Sequence, residues 1–174
     1  LISGQNFHIW VFFSFHFQED CWRTGQVRNI GSIEGNRPIY GNDWEELRRK
    51  GDYAIKNWID NQLYGTSCVV VLIGNQTSTR KWVQYEIRRG WELGKGIMGV
   101  YIHNLLDQNR RSTYVGSSPF NQIYTYTKKG YINLGSIIPL HNPPYQDSKY
   151  VYWNIEANIE SWVEEAIKLR VCRR

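Results

Sequence analysis

Three stretches of the chain lack the apolar–polar alternation of a half-exposed strand. Residues 7–14 read Phe-His-Ile-Trp-Val-Phe-Phe-Ser and residues 68–73 read Cys-Val-Val-Val-Leu-Ile. Residues 96–103 hold Ile-Met-Gly-Val-Tyr-Ile at their heart. Near-continuous apolar runs of this length predict strands buried on both faces, the condition of a parallel sheet. Helical spacing fills the gaps between them. Residues 19–30 place Trp22, Val27 and Ile30 inward, with Gly25 weakening the helix. A loop over 31–41, with a short strand near 37–40, leads to a second helix. Asn42 or Asp43 caps it, and Trp44, Glu45 and Glu46 form a first turn whose acids suit the dipole. The same helix buries Ala54, Ile55, Trp58, Ile59 and Leu63 and stops at Gly65. Thr79 reads as the N-cap of a third helix, which carries Val83, Ile87, Gly90 and Trp91 on one stripe and closes at Gly94. Strand, helix, strand, helix, strand predicts an α/β fold, a parallel central sheet with helices on both faces.

Beyond His103 the regular pattern fails. Residues 107–118 are polar and loop-like, and 119–123 suit one helical turn. Residues 124–131 alternate aromatic and polar positions as a hairpin does. Pro139, Pro143 and Pro144 mark irregular chain. Residues 150–169 predict a last helix with Ile155, Ile159, Trp162, Val163 and Ala166 inward. We therefore expect one domain over 1–174, with an α/β core at about 7–103 and an irregular extension over 104–174 that ends in a helix. No repeat or low-complexity segment interrupts it.

Composition narrows the class. The 174 residues are 41% hydrophobic and 15% aromatic with eight tryptophans, enough for a core without staples. The net charge of +5 is spread along the chain; it favours an anionic ligand and also serves solubility. Cys21, Cys68 and Cys172 have neither metal nor disulfide spacing, which suits a reducing, cytoplasmic location. No apolar run approaches the length of a membrane span, and residues 1–30 do not read as a secretion signal, so no membrane partner is expected. No basic stripe with interleaved aromatics points to nucleic acid. A Gly-x-Gly-x-x-Gly after the first strand, a phosphate loop, a zinc cluster and the acidic strand end of a receiver domain are all missing.

The chemistry concentrates after the second apolar run. Trp82 and Glu86 lie four apart and share a helix face beside the core stripe. This sets a carboxylate at the border of core and solvent, past the carboxyl end of a central strand, where open α/β sheets bind ligands. Taken alone, the spacing makes Glu86 an ordinary helix-face glutamate paired with Arg89 or Arg88. Phe13, Ser14, Phe15 and His16 end the first strand on the same edge. Arg80 and Lys81 at the helix start can meet phosphates or simply be solvated.

Thr79 to Ile87 resembles the Trp-x-x-x-Glu signature of TIR domains, and Val11-Phe12-Phe13-Ser14-Phe15-His16-Phe17-Gln18 resembles the first strand of the TIR-like proteins of bacterial Thoeris anti-phage systems. Many TIR domains have Cys after the Trp and Ser two before it; here those positions are Val83 and Arg80. The resemblance implies a flavodoxin-like TIR fold and an enzyme that cleaves NAD at the nicotinamide–ribose bond. It implies Glu86 as the catalytic residue, and Phe13, Ser14, Phe15, His16, Asp43, Trp44 and Trp82 as the NAD-binding set. NAD is then substrate, with no cofactor and no metal. The product would be a cyclic or conjugated ADP-ribose signal that reaches a partner effector, with a phage-derived trigger and homo-oligomerisation on activation. Two other functions share these features: a non-enzymatic TIR interaction module, and an N-glycosidic enzyme like the nucleoside deoxyribosyltransferases.

Overall fold

Strands that are apolar on both faces need a layer of helices on each, and the chain supplies both. The computed structural model describes residues 9–36, 39, 41–127 and 130–172. In chain order its elements are β1 (Trp10–Ser14), α1 (Phe17–Arg28), β2 (Glu34–Gly35), α2 (Gly41–Arg49), α3 (Asp52–Leu63) and β3 (Cys68–Ile73). There follow α4 (Lys81–Glu92), β4 (Gly96–Tyr101), β5 (Tyr124–Thr127), β6 (Gly130–Asn133), β7 (Leu140–His141) and α5 (Ser148–Val171). A five-stranded sheet runs β2-β1-β3-β4-β7, parallel throughout. Its centre is β3, all six residues of which are buried.

The two-residue period of a strand divides the core. Val11, Phe13, Val70, Leu72, Met98 and Val100 face one side and meet Val151, Ile155, Ile159 and Val163 of α5. Phe12, Val69, Val71 and Ile73 face the other and meet Ile55, Ile59 and Leu63 of α3 with Val83 and Ile87 of α4. The long α5 is thus a full layer of the core. Asp147 caps it by accepting from the Lys149 N–H at 2.8 Å.

Several local expectations shift. The first strand is described from Trp10; residues 7 and 8 lie outside the described residues, as do Arg37, Pro38 and Tyr40, most of the stretch where a second strand was expected. The second strand observed is Glu34–Gly35. The single helix expected from Asn42 to Leu63 is two, because Gly51 at φ +89° breaks it between Arg49 and Asp52. Asn42 and Asp43 consequently sit inside the first turn of α2. Thr79 does not cap α4: it ends a 3-10 turn and donates to the Gln76 carbonyl at 2.9 Å, which leaves Arg80 as the N-cap. The prolines around 139–144 conceal β7, since Pro139 lacks only a donor and its carbonyl still accepts from the Gly99 N–H at 2.9 Å.

The inward face of α1 is polar. Trp22 is 55% exposed, and the buried positions are Asp20, Arg23, Thr24 and Val27. Arg23 pairs with Asp20 at 3.1 Å and donates to the carbonyls of Leu105 and Arg111, each at 2.8 Å. This guanidinium fastens the chain that follows β4 to the sheet edge where β1 ends. Burial pushes the Asp20 carboxyl up to about 6, against the pull of Arg23.

Two glycines separate crowding from propensity. A Cβ at Gly96 would lie 2.8 Å from the Ile167 nitrogen of α5, whereas one at Gly25 would touch nothing within 4 Å. Gly96→Ala should cost about 1–3 kcal/mol by forcing α5 off the sheet. Gly25→Ala should add about 0.5–1 kcal/mol of helix stability. Urea unfolding midpoints with unchanged slopes measure both.

Candidate active site

Parallel pairing brings the carboxyl ends of β1 and β3 to one edge. Ser14 is the last residue of β1 and sits in register with Val71. The chain leaves β3, makes the Thr77–Thr79 turn and enters α4, whose stripe of Val83, Ile87 and Gly90 is pressed onto the sheet. That orientation carries Glu86, between the stripe residues, over the end of β1. The Ser14 hydroxyl donates to the Glu86 carboxylate at 2.5 Å, joining residues 72 positions apart. A cavity of about 640 Å³ opens at this point. It falls within the roughly 300–1,000 Å³ of small-molecule sites. Phe15, Trp44, Trp58 and Trp82 contribute rings to its wall, with Glu86 and His16 as polar groups.

Aromatic walls deprive a charge of water. Burial pushes the Glu86 carboxyl from its ordinary 4.5 up to about 8, opposed by the Ser14 hydrogen bond. Glu86 is only part-buried by surface area, and its accessible part belongs to the cavity wall. At about 8 the carboxyl favours its protonated form at neutral pH, and a cationic ligand would draw out the ionised form. Burial lowers His16, helped by the Arg80 charge and opposed by Glu19, so the imidazole is neutral near pH 7. His16 is 7% exposed, and its Nδ1 has no hydrogen-bond partner.

Of the residues singled out in the sequence, Phe13, Phe15, His16, Trp44, Arg80, Lys81, Trp82 and Glu86 line the cavity, and Ser14 stands behind Glu86. Phe13 has a core role too: it is 3% exposed, with the Arg28 guanidinium 5.2 Å from its ring centre. Trp82 both walls the cavity and meets Tyr85 edge-on at 6.1 Å. Asp43 is exposed and stands apart from the cavity wall. Asn36 and Trp58 also line the wall, with Gln18, Glu45 and Arg48, and were not anticipated there. Asn36 accepts from the Phe13 N–H at 2.9 Å and so fixes the end of β1. An asparagine in a loop gave no such signal, and Trp58 looked like core alone.

A parallel sheet with a glutamate on the helix after its central strand, held at the end of β1, is the arrangement expected of a TIR-like domain. The family described as "Thoeris protein ThsB, TIR-like domain" matches residues 12–107, more than half of the chain, and the chain belongs to that family. It is 36% identical over 126 residues to a protein of Bacillus cereus (strain MSX-D12) named "Putative cyclic ADP-D-ribose synthase ThsB1". That likeness covers 69% of this chain and 66% of the relative, just under two thirds of the relative's length.

The raised carboxyl has two measurable consequences. The folded state keeps the Glu86 proton between about pH 4.5 and 8 while the unfolded chain loses it, so stability falls as pH climbs through that window. Glu86→Gln should therefore melt above wild type at pH 9 and with it at pH 4. Carbon NMR should place the Glu86 midpoint near 8, and Ser14→Ala should move it higher by removing the bond that favours the ion. A midpoint near 4.5 in wild type would refute this electrostatic picture.

Proposed function

We propose that this TIR-like domain cleaves NAD at the nicotinamide–ribose bond and makes a cyclic or conjugated ADP-ribose signal for a partner effector in anti-phage defence. The observation that carries the reading is the Glu86 carboxyl held by Ser14 in an aromatic-walled cavity at the sheet's carboxyl edge. The name of the Bacillus cereus relative, "Putative cyclic ADP-D-ribose synthase ThsB1", supports it.

The chemistry suits one carboxylate. Nicotinamide in NAD is already a cation and leaves as a neutral base, so no group need protonate it. The bond to the ribose breaks towards an oxocarbenium-like centre, and an anion beside that sugar stabilises the developing positive charge. The positive nicotinamide ring lowers the cost of ionising Glu86 as it binds, so substrate and catalytic form arrive together. Ser14 keeps the carboxylate oriented. Phe15, Trp44 and Trp82 offer faces for the two bases. Weak basal turnover that rises with protein concentration or with an infection trigger follows if neighbouring protomers complete the site. A cytoplasmic location fits a signal that must reach an effector by diffusion; among the described residues no helix is long and apolar enough to cross a membrane.

Chromatography of NAD incubated with the protein, with and without phage-infected lysate, tests the reading. Glu86→Gln keeps size and hydrogen-bonding reach and removes the charge. It should lose about 2.7–4 kcal/mol of transition-state stabilisation. That is roughly a hundred- to a thousandfold in rate. A folded variant with wild-type turnover, or wild-type protein that never consumes NAD even with lysate, would make the chain an interaction module instead.

A further inference from the structure

Helix α4 begins against the usual electrostatic rule. The positive end of a helix favours acids in its first turn and a hydrogen-bonding side chain at its N-cap. Here the N-cap is Arg80, no side chain caps the turn, and no acid lies in it. Position N1 is a second cation, Lys81. The two differ in fate. Both line the cavity, but the Lys81 side chain is 63% exposed and is paired with Asp52. Arg80 is part-buried. One end of its guanidinium donates to the Gln76 side chain, and its Nε is buried with no hydrogen-bond partner. Among the described residues no carboxylate pairs with it.

A part-buried cation without a counter-ion, one of its nitrogens buried and unpartnered, on a helix end that adds to its charge, is a costly arrangement unless an anion arrives. Local conflicts of this kind gather at functional sites. A second feature at the same wall points the same way. His16, 7% exposed, lines the same cavity and has an Nδ1 with no hydrogen-bond partner. Its nearest acidic neighbour, Glu19, lies 3.8 Å from that nitrogen, beyond hydrogen-bond reach.

Spacing supplies the orientation. Arg80 and Glu86 are six residues apart on one helix, about 9 Å of rise, and both reach the cavity. In a dinucleotide the phosphates begin one sugar's width from the bond to nicotinamide. We propose that Arg80 and the open amino end of α4 hold the diphosphate of the substrate and so seat the nicotinamide-side ribose against Glu86. This assignment rests on the NAD reading above. It makes Arg80 a binding and positioning residue, with Gln76 holding its guanidinium in place.

The test titrates ADP-ribose, inorganic pyrophosphate and nicotinamide riboside into the full chain by calorimetry, using wild type, Arg80→Gln and Arg80→Lys, with thermal melts of each. Arg80→Gln should weaken ADP-ribose and pyrophosphate about ten- to a hundredfold, the scale of a lost charge-assisted contact. Nicotinamide riboside, which has no phosphate, should bind all three proteins alike, and Arg80→Lys should recover part of the loss. With NAD the variant should show a raised KM and, because the ribose is no longer held against Glu86, a lowered kcat. Unchanged affinity for both anions, no binding of either by wild type, or an equal loss for the riboside would overturn the proposal. Pyrophosphate binding that depends on Arg80, in a protein that neither binds ADP-ribose nor consumes NAD, would keep the anion site and remove the NAD reading.

Discussion

A carboxyl group among aromatic rings is held in this fold by a single hydroxyl. The Ser14–Glu86 hydrogen bond exists because β1 and β3 are parallel and in register, so that the end of one strand lies beneath the helix that follows the other. Parallel pairing in turn requires both sheet faces to be covered. α5 with α1 covers one, and α3 with α4 covers the other. The site is thus a consequence of the layered core. Glu86 carries a desolvation cost because Val83 and Ile87, on either side of it in the helix, are locked onto the sheet.

The same logic explains why the chain after β4 matters to the site. Arg23 reaches across from α1 to the carbonyls of Leu105 and Arg111. It holds the polar segment against the edge on which β1 ends. β7 then adds a fifth strand, and His141 stacks on Trp162 of α5 at 4.2 Å. These contacts make the C-terminal portion part of the sheet and its cover.

What the sequence disclosed, and what it hid, follows from the range of the forces involved. Runs such as Val69 to Ile73 declare a buried strand because burial on both faces leaves no polar alternation. The pairing of Trp82 with Glu86 was legible from helical spacing, as was the inward stripe of α4. The break at Gly51 was not, because a helix-spaced apolar set continues through it and only the positive φ separates α2 from α3. The polar face of α1 was hidden for a different reason: Asp20 and Arg23 are buried by carbonyls 82 and 88 residues further along the chain, which no local pattern records. Asn36 belongs to the same class, since its role is to hold the Phe13 N–H across 23 residues. Short-range signals found the carboxylate and the strand end; the residues that fix their relative position act over long sequence distances.

The central claim is that an ionised Glu86, made costly by its surroundings, is the working form. The dependence of kcat/KM for NAD on pH tests this most directly, because that ratio reports the ionisation of the free enzyme. The rate should climb with pH on one ionisation, reach half its plateau at about pH 8, where Glu86 is half ionised, and level off above that. A profile that is flat between about pH 6 and 9, or that falls across that range, would contradict it.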